Sequence, residues 1–381
     1  MKLILKLIAG IILGMLCGLY APQWLTQILI TFKALFGQVL FFTVPLLILF
    51  FIASGIGSLP QNSGRLLGKT VGLAYLSTIV AGILSFLVAA AVVPALAELV
   101  SGGELQNSDN VTSLTPYIEL TIPPVLEVMS ALTLAFIFGL GITVTRAKTL
   151  HSLFDEGRDI IQLFLVKVII PLLPVYIAGV FATMAAAGTV FGTLKTFGLV
   201  LVLAVLMHWI WLTSLFIIAG IRAGKSPLFL IKNMLPAYFT ALGTMSSAAT
   251  IPVALQSTKK NGVKEEIANF TVPLCSTIHL SGSTITIVTC AVAVMAISQG
   301  LTIPSLPEML PFIFILGIVM LAAPGVPGGA VMSAVGLLGA MLGFDEAAIA
   351  LMIALYIAQD SFGTACNVTG DGAIAVLVDQ A

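Results

Sequence analysis

Residues 356–379 read YIAQDSFGTACNVTGDGAIAVLVD and close an otherwise very apolar chain. Set at 100° per residue, Tyr356, Asp360, Thr364, Asn367 and Asp371 fall within an arc of roughly 80°, so the strong polar groups share one line of a helix. The other faces hold Ile, Ala, Val and Leu. Ionisable groups at membrane depth are costly and face a cavity or a partner, which makes this line a candidate functional site rather than a solvated face.

Composition sets the solvent. Of 381 residues, 59% are hydrophobic and 8% charged, and the mean hydropathy is +1.15. A soluble domain is far less apolar, so the chain reads as an all-α polytopic membrane protein whose first partner is the lipid bilayer. The net charge of zero says little about partners, the location of each charge says more, and no nucleic-acid partner is expected. Cys17, Cys275, Cys290 and Cys366 show no CxxC or His/Cys ligand spacing, so neither a disulfide nor a metal centre is indicated.

Segments long enough to cross ~30 Å of hydrocarbon lie near 7–30, 34–58, 70–97, 122–145, 160–186, 197–221, 268–297 and 347–378, which predicts eight transmembrane helices. Basic residues cluster at Lys2/Lys6, Arg65/Lys69, Arg146/Lys148/Arg158, Arg222/Lys225/Lys232 and Lys259/Lys260/Lys264. The positive-inside rule places these in the cytoplasm, together with the N-terminus. The 98–119 loop carries Glu98, Glu104, Asp109 and Glu119 without Lys or Arg and belongs outside. Lone Lys33 and Lys195 also fall outside and are outvoted.

Two further apolar stretches break in the middle. Residues 235–258 have basic clusters at both ends and centre on Gly243-Thr-Met-Ser-Ser-Ala-Ala-Thr-Ile-Pro252, so a single crossing would strand Lys259, Lys260 and Lys264 on the wrong side. A re-entrant helical hairpin from the cytoplasm resolves the conflict. Residues 307–343 have acidic flanks and a centre of helix breakers, Ala322-Ala-Pro-Gly-Val-Pro-Gly-Gly-Ala330, and predict a second hairpin entering from outside. Each is followed by a long span with a polar interruption, Thr277–Ser283 and Asn367–Asp371. Such inverted repeats of Gly/Pro-interrupted segments point to a secondary transporter with its site near the midplane. Irregular backbone is tolerated at that depth only where it is buried or lines a cavity. Helix N-termini there suit a carboxylate, and unwound carbonyls and Asp side chains suit cations and ammonium groups.

Ser246-Ser-Ala-Ala-Thr-Ile-Pro252, Gly325-Val-Pro-Gly-Gly-Ala330 and the series Asp360, Thr364, Asn367-Val-Thr-Gly-Asp371, in that order, resemble the dicarboxylate/amino acid:cation symporter family, the glutamate transporter homologues, over nearly the whole chain. The resemblance implies a homotrimer, a scaffold of 1–65 and 118–190, and a transport domain of 66–117 and 191–381 that carries solute by an elevator movement. By the same resemblance Asp360 would hold the substrate ammonium, and Asn367 its carboxylate with help from Ser246 and Ser247. Ser283, Gly363 and Thr364 would line the site, and Gly325, Val326, Pro327 and Gly328 would close over it. Asp371 and the Asn367 backbone would help bind sodium, Thr277 and Met320–Ala323 would form a second cation site, and Ser77 and Thr78 would serve a third.

Departures from the family pattern shape the substrate. Gly363 stands where acidic-amino-acid members carry arginine, and Met245 where some relatives keep one in the first hairpin. A second carboxylate would then lie unpaired in a dry site at a cost of several kcal/mol, which points to a neutral amino acid rather than a dicarboxylate. His279-Leu-Ser281-Gly-Ser283 replaces the family's Asn-Met-Asp-Gly-Thr, so Ser281 brings no charge where an aspartate serves sodium. His279 is then either an imidazole paired with a carbonyl or with Asp371, or a proton carrier in place of an ion. An intramembrane hydrolase pairing Ser281 with His279 is disfavoured because i,i+2 positions do not face each other on a helix, so no enzyme is expected. A transport-deficient receptor or scaffold with the same fold is the rival. His208 has no constellation around it in sequence.

Overall fold

The computed structural model describes residues 2–58, 64–101, 114–298 and 300–380, and these are all-helical. Glu104 and Asp109 of the expected outer loop lie outside the described residues. The helices are α1 (Lys2–Tyr20), α2 (Gln23–Gly57), α3 (Gly64–Ser101), α4 (Val128–Thr145), α5 (Lys148–Phe164), α6 (Ile170–Ala186) and α7 (Val190–Ala223). They continue as α8 (Pro227–Thr244), α9 (Ser247–Lys260), α10 (Glu265–Ile278), α11 (Ser281–Ile297), α12 (Leu306–Met320), α13 (Gly329–Leu342) and α14 (Glu346–Asp379). Among the described residues 7 helical runs are long and apolar enough to cross a membrane. This is the build of a multi-pass membrane protein.

Several expected boundaries move. The first break falls at Ala21-Pro22 rather than near residues 31–33, so α2 runs 35 residues and Lys33 sits inside it. Lysine is a good helix former and marks no boundary, whereas proline has no N–H to continue a helix. The fourth span starts only at Val128, because Pro123 and Pro124 keep the preceding chain irregular. That irregular stretch is strapped to α2: Tyr117 N donates to Thr31 Oγ1 (2.8 Å) and Ile122 N to Gln38 Oε1 (3.2 Å). The fifth span begins earlier than expected, at α5, and a π turn at Leu165–Ile169 joins it to α6 just before Pro171.

The segment 235–258 is a helix-turn-helix whose first arm starts already at Pro227. The segment 307–343 is α12 and α13 with non-helical backbone between them. The seventh span breaks at His279-Leu280, within the expected interruption. The eighth does not break: α14 is one helix of 34 residues straight through Asn367–Asp371. Gly370 and Gly372 there serve close packing, since a Cβ on either would press on His279 or Met234.

Two groups of helices pack among themselves. In one, α1 lies along α6, and α2 contacts α4, α5 and α6. The α1–α6 seam is built from small residues: Gly10, Gly14 and Gly18 sit against the carbonyls of Pro174, Ala178 and Ala182. Close backbone approach of this kind replaces the hydrophobic effect as the driving force between helices in lipid. In the other group α3, α7, α8, α9, α10 and α11 surround α14. There α11 and α14 are buried almost throughout, while α10 buries one face and exposes Glu265, Glu266 and Asn269 on the other. α12 packs on α3 and α13, while α13 reaches both groups, touching α2, α4 and α14.

Candidate functional site

Two turns and one helix break meet on the polar line of α14. At the α8–α9 turn Met245 is left-handed (φ 55°) and Ser246 extended, and Ser246 Oγ accepts from Ala249 N (3.3 Å). That bond caps α9 at its first turn, where helix N–H groups have no partner of their own. Thr250 Oγ1 donates back to Ser246 O (2.8 Å), which fixes the turn. At the α12–α13 turn Gly328 takes φ 77°, and a Cβ on Gly329 would collide with Pro324 O, so both positions need glycine.

These pieces enclose one cavity. The first turn supplies Met245 and Ser247, and the end of α10 supplies Ser276 and Thr277. Leu280 and Ser283 come from the α11 start, and Ala323, Pro324, Gly325, Val326 and Ala330 from the second turn and α13. The floor is Tyr356, Asp360, Thr364 and Asn367 of α14. The structure thus brings together Ser247, Ser283, Gly325, Val326, Asp360, Thr364 and Asn367, with Thr277 and Ala323 from the expected cation residues. Ser246 and Gly328 stand just behind as a cap and a backbone donor. Pro327 belongs to the same turn and Met320 ends α12, and neither lines the cavity.

Asp360 is the cavity's one charged side chain, and Lys, Arg and His are absent from the lining. Its Oδ2 accepts from Gly328 N (2.7 Å), tying α14 to the second turn. Asn367 is more committed than expected: Oδ1 accepts from Gly282 N (2.7 Å) and Ser283 N (3.2 Å), and Nδ2 donates to Ser283 Oγ (2.9 Å). It therefore caps α11 from a neighbouring helix. An amide carries two donor hydrogens, so one remains for a ligand.

Below the cavity lies a buried chain of three side chains. His279 Nδ1 is 2.9 Å from Asp371 Oδ1, and Nε2 is 2.8 Å from Ser77 Oγ. With the proton on Nδ1 the imidazole donates to the carboxylate and accepts from the serine. His279 is thus paired with Asp371, one of the two expected alternatives. Thr78 does not join, because its hydroxyl donates to Ala74 O within its own helix (2.9 Å). Ser281 is buried beside the helix break, and its Oγ has no hydrogen-bond partner among the described residues. Asn367 sits inside an unbroken helix, so its carbonyl keeps its place in the helical ladder and has one lone pair beyond it. Carbonyls without intrahelical partners lie at the last turns of α10 and α12, beside Thr277 and Ala323. No group of three His, Cys, Asp or Glu side chains with metal-binding geometry occurs among the described residues.

Two residues differ from the sequence reading. Gly363, expected to line the site, is not among the residues around the cavity: a Cβ there would lie 3.3 Å from Thr286 Oγ1 and 3.6 Å from Gly282, so the glycine lets α14 lie against α11. His208 does have a constellation, with Nε2 3.0 Å from Gly282 O and 3.1 Å from Thr286 Oγ1. Its partners are remote in sequence, and the only signal was a lone histidine in an apolar helix.

Residues 3–381 match the profile of the sodium:dicarboxylate symporter family. The chain is similar to a serine/threonine transporter, SstT, of Enterococcus faecalis, at 26% identity over 97% of this chain and 90% of that protein. A protein of the same name from Acinetobacter baylyi is 26% identical over 100% of this chain and 98% of its own length.

Proposed function

Because the chain belongs to the sodium:dicarboxylate symporter family, we propose that it is a sodium-coupled symporter of a small neutral amino acid of the serine or threonine kind. One observation carries the substrate class: Asp360 is the single charged group in the cavity, with no cationic side chain opposite. A zwitterion fits that arrangement. Its ammonium pairs with Asp360, and its carboxylate meets the N-terminus of α9 at Ser247 and the remaining donor hydrogen of Asn367. A second carboxylate would be buried without a partner. The relatives named as serine/threonine transporters point the same way.

Sodium is a co-transported substrate. We assign it to the carbonyl ends of α10 and α12, where helix C-termini carry partial negative charge and offer free oxygens near Thr277, Met320 and Ala323. At Asp371 the His279 imidazole already sits beside the carboxylate and Ser77 completes the chain. That pairing argues for fewer coupled sodium ions, with a proton on His279 as the second reading.

The scaffold is 1–65 and 118–190, and the moving part is 66–117 and 191–381. The separate packing of the α1/α2/α4/α5/α6 group and of the helices around α14 supports this division. With α8–α9 and α12–α13 as re-entrant hairpins, eight spans and a cytoplasmic N-terminus, the protein works as a homotrimer in the bacterial inner membrane. Solute moves by an elevator displacement of the α14 group.

The test is uptake into liposomes holding purified protein. An inward sodium gradient is expected to drive labelled L-serine uptake that unlabelled threonine or alanine suppresses and succinate or glutamate does not. Better competition by the dicarboxylates overturns the substrate class. Sodium-independent uptake that follows a pH gradient moves the coupling to protons. No uptake of any amino acid favours a receptor or scaffold.

A further inference from the structure

We propose that His208 of α7 is a positioning residue for the transport chamber: it holds one end of the Gly282–Ser283 peptide unit while Asn367 holds the other. The Gly282 carbonyl is 3.0 Å from His208 Nε2, and the amide of the same unit, Ser283 N–H, donates to Asn367 Oδ1 at 3.2 Å. That unit opens α11. Its orientation sets Ser283 and Asn367, which both line the cavity and bond each other at 2.9 Å. The inference rests on reading that cavity as the site of transport.

Three observations mark His208 as more than packing. It is 1% exposed and Nε2 must carry its hydrogen, because the Gly282 carbonyl can only accept. Nδ1 is then a buried acceptor with no partner among the described residues. A leucine in apolar α7 would avoid that loss, so the imidazole carries a stability penalty at this position. Second, Gly282 is the point where three helices converge. A Cβ there would press on Gly363 O, on Cys366 Cβ and on Asn367 Oδ1, and Cys366 Sγ in turn lies 3.9 Å from His208 O. Third, Thr286 Oγ1 donates to the same carbonyl at 3.1 Å and is itself 3.1 Å from His208 Nε2, so a small network fixes the peptide plane. Without His208 the carbonyl is left to Thr286 of its own helix and has no tie to α7, so the plane is free to tilt about the Asn367 contact and the polar groups facing substrate shift with it.

The experiment compares full-length His208→Phe, His208→Gln and His208→Asn with wild type. Glutamine can bring an amide N–H to the place of Nε2, phenylalanine fills the space without a donor, and asparagine has a donor too short to reach. In sodium-driven L-serine uptake, His208→Phe is expected to raise KM about tenfold, the worth of one good hydrogen bond, with the maximal rate within about twofold. His208→Gln returns KM to near wild type and His208→Asn does not. Equal behaviour of the glutamine and asparagine proteins, or a loss of maximal rate at unchanged KM, overturns the proposal, and this pair decides it if the phenylalanine protein does not fold. Hydrogen exchange supplies a readout independent of the solute. Amides of 281–286 should exchange faster in His208→Phe and be protected again in His208→Gln, while α1 and α6 are unchanged. If wild type takes up no amino acid, the functional reading fails alone and exchange still decides the role of His208. Unchanged exchange at 281–286 overturns it.

Discussion

Asp360 joins the chemistry of the site to its architecture. Buried and given one backbone donor by Gly328, it is a carboxylate with accepting capacity to spare, which an ammonium group would satisfy. Asp360→Asn keeps the shape and removes the charge. Truncating one partner of a buried charge pair removes about 2–5 kcal/mol, so L-serine uptake at fixed concentration should fall at least about 30-fold. Radiolabel uptake with matched protein levels checks it, and retention of half the activity would remove Asp360 from the site. His279 gives a complementary prediction. His279→Leu strips Asp371 of its donor and should cost about 1–3 kcal/mol of stability, part of which Asp371→Asn in the same protein restores. Thermal unfolding of the two single variants and the double variant reads the coupling; additive losses would mean the pair is incidental. Asp360, Thr364, Asn367 and Asp371 were legible because one helix period aligns them. The meaning of Gly363 and His208 was not, since both answer to Gly282, which α11 brings from far along the chain.

At the level of helices, the pattern of breaks follows backbone chemistry more closely than hydropathy. Ala21-Pro22 ends a helix although the chain stays apolar on both sides, and Lys33 does not end one although it is charged. The turns at Met245-Ser246 and 321–328 were legible from their small, hydroxylated and Gly/Pro residues. The continuity of α14 through Asn367–Asp371 was not, because there the glycines serve neighbouring side chains rather than a turn. Glycine therefore carries two meanings, and the α1–α6 seam separates them. Gly14 meets the carbonyl of Ala178, whereas a Cβ on Gly141 of α4 meets nothing within 4 Å. Gly14→Ala should overpack the seam and cost about 1–3 kcal/mol. Gly141→Ala should be neutral or mildly stabilising, as expected for a helical glycine with free space. A difference in melting temperature between the two purified variants is the check; equal melting would mean the seam can relax.

For the whole molecule, the question is whether the helices around α14 move against those around α2. The first turn of α14 touches the other group: Glu346 Oε1 rests where a Cβ on Gly37 would stand, and it is buried without a hydrogen-bond partner among the described residues. Nearby, the hydroxyl of Tyr176 is likewise buried without a partner, and Lys33 of α2 reaches Thr183 of α6 at 3.4 Å instead of closing on the carboxylate. An interface built for permanence would satisfy these groups, since each unpaired buried polar atom costs about 1–3 kcal/mol. Leaving them half-satisfied lowers the barrier to separation, which suits a contact made in one state and broken in another. Cysteines introduced as Gly37→Cys and Glu346→Cys can be joined by a short bis-methanethiosulfonate bridge, whose two disulfides a reductant cleaves. If the α14 group travels, the crosslinked protein should bind L-serine, seen as a sodium-dependent rise in melting temperature, yet carry none of it across the bilayer, and reductant should restore uptake. Uptake that continues while the link is intact would show that α2 and α14 keep their places throughout the cycle. The cavity between the two turns would then have to open to each side in turn without the elevator displacement.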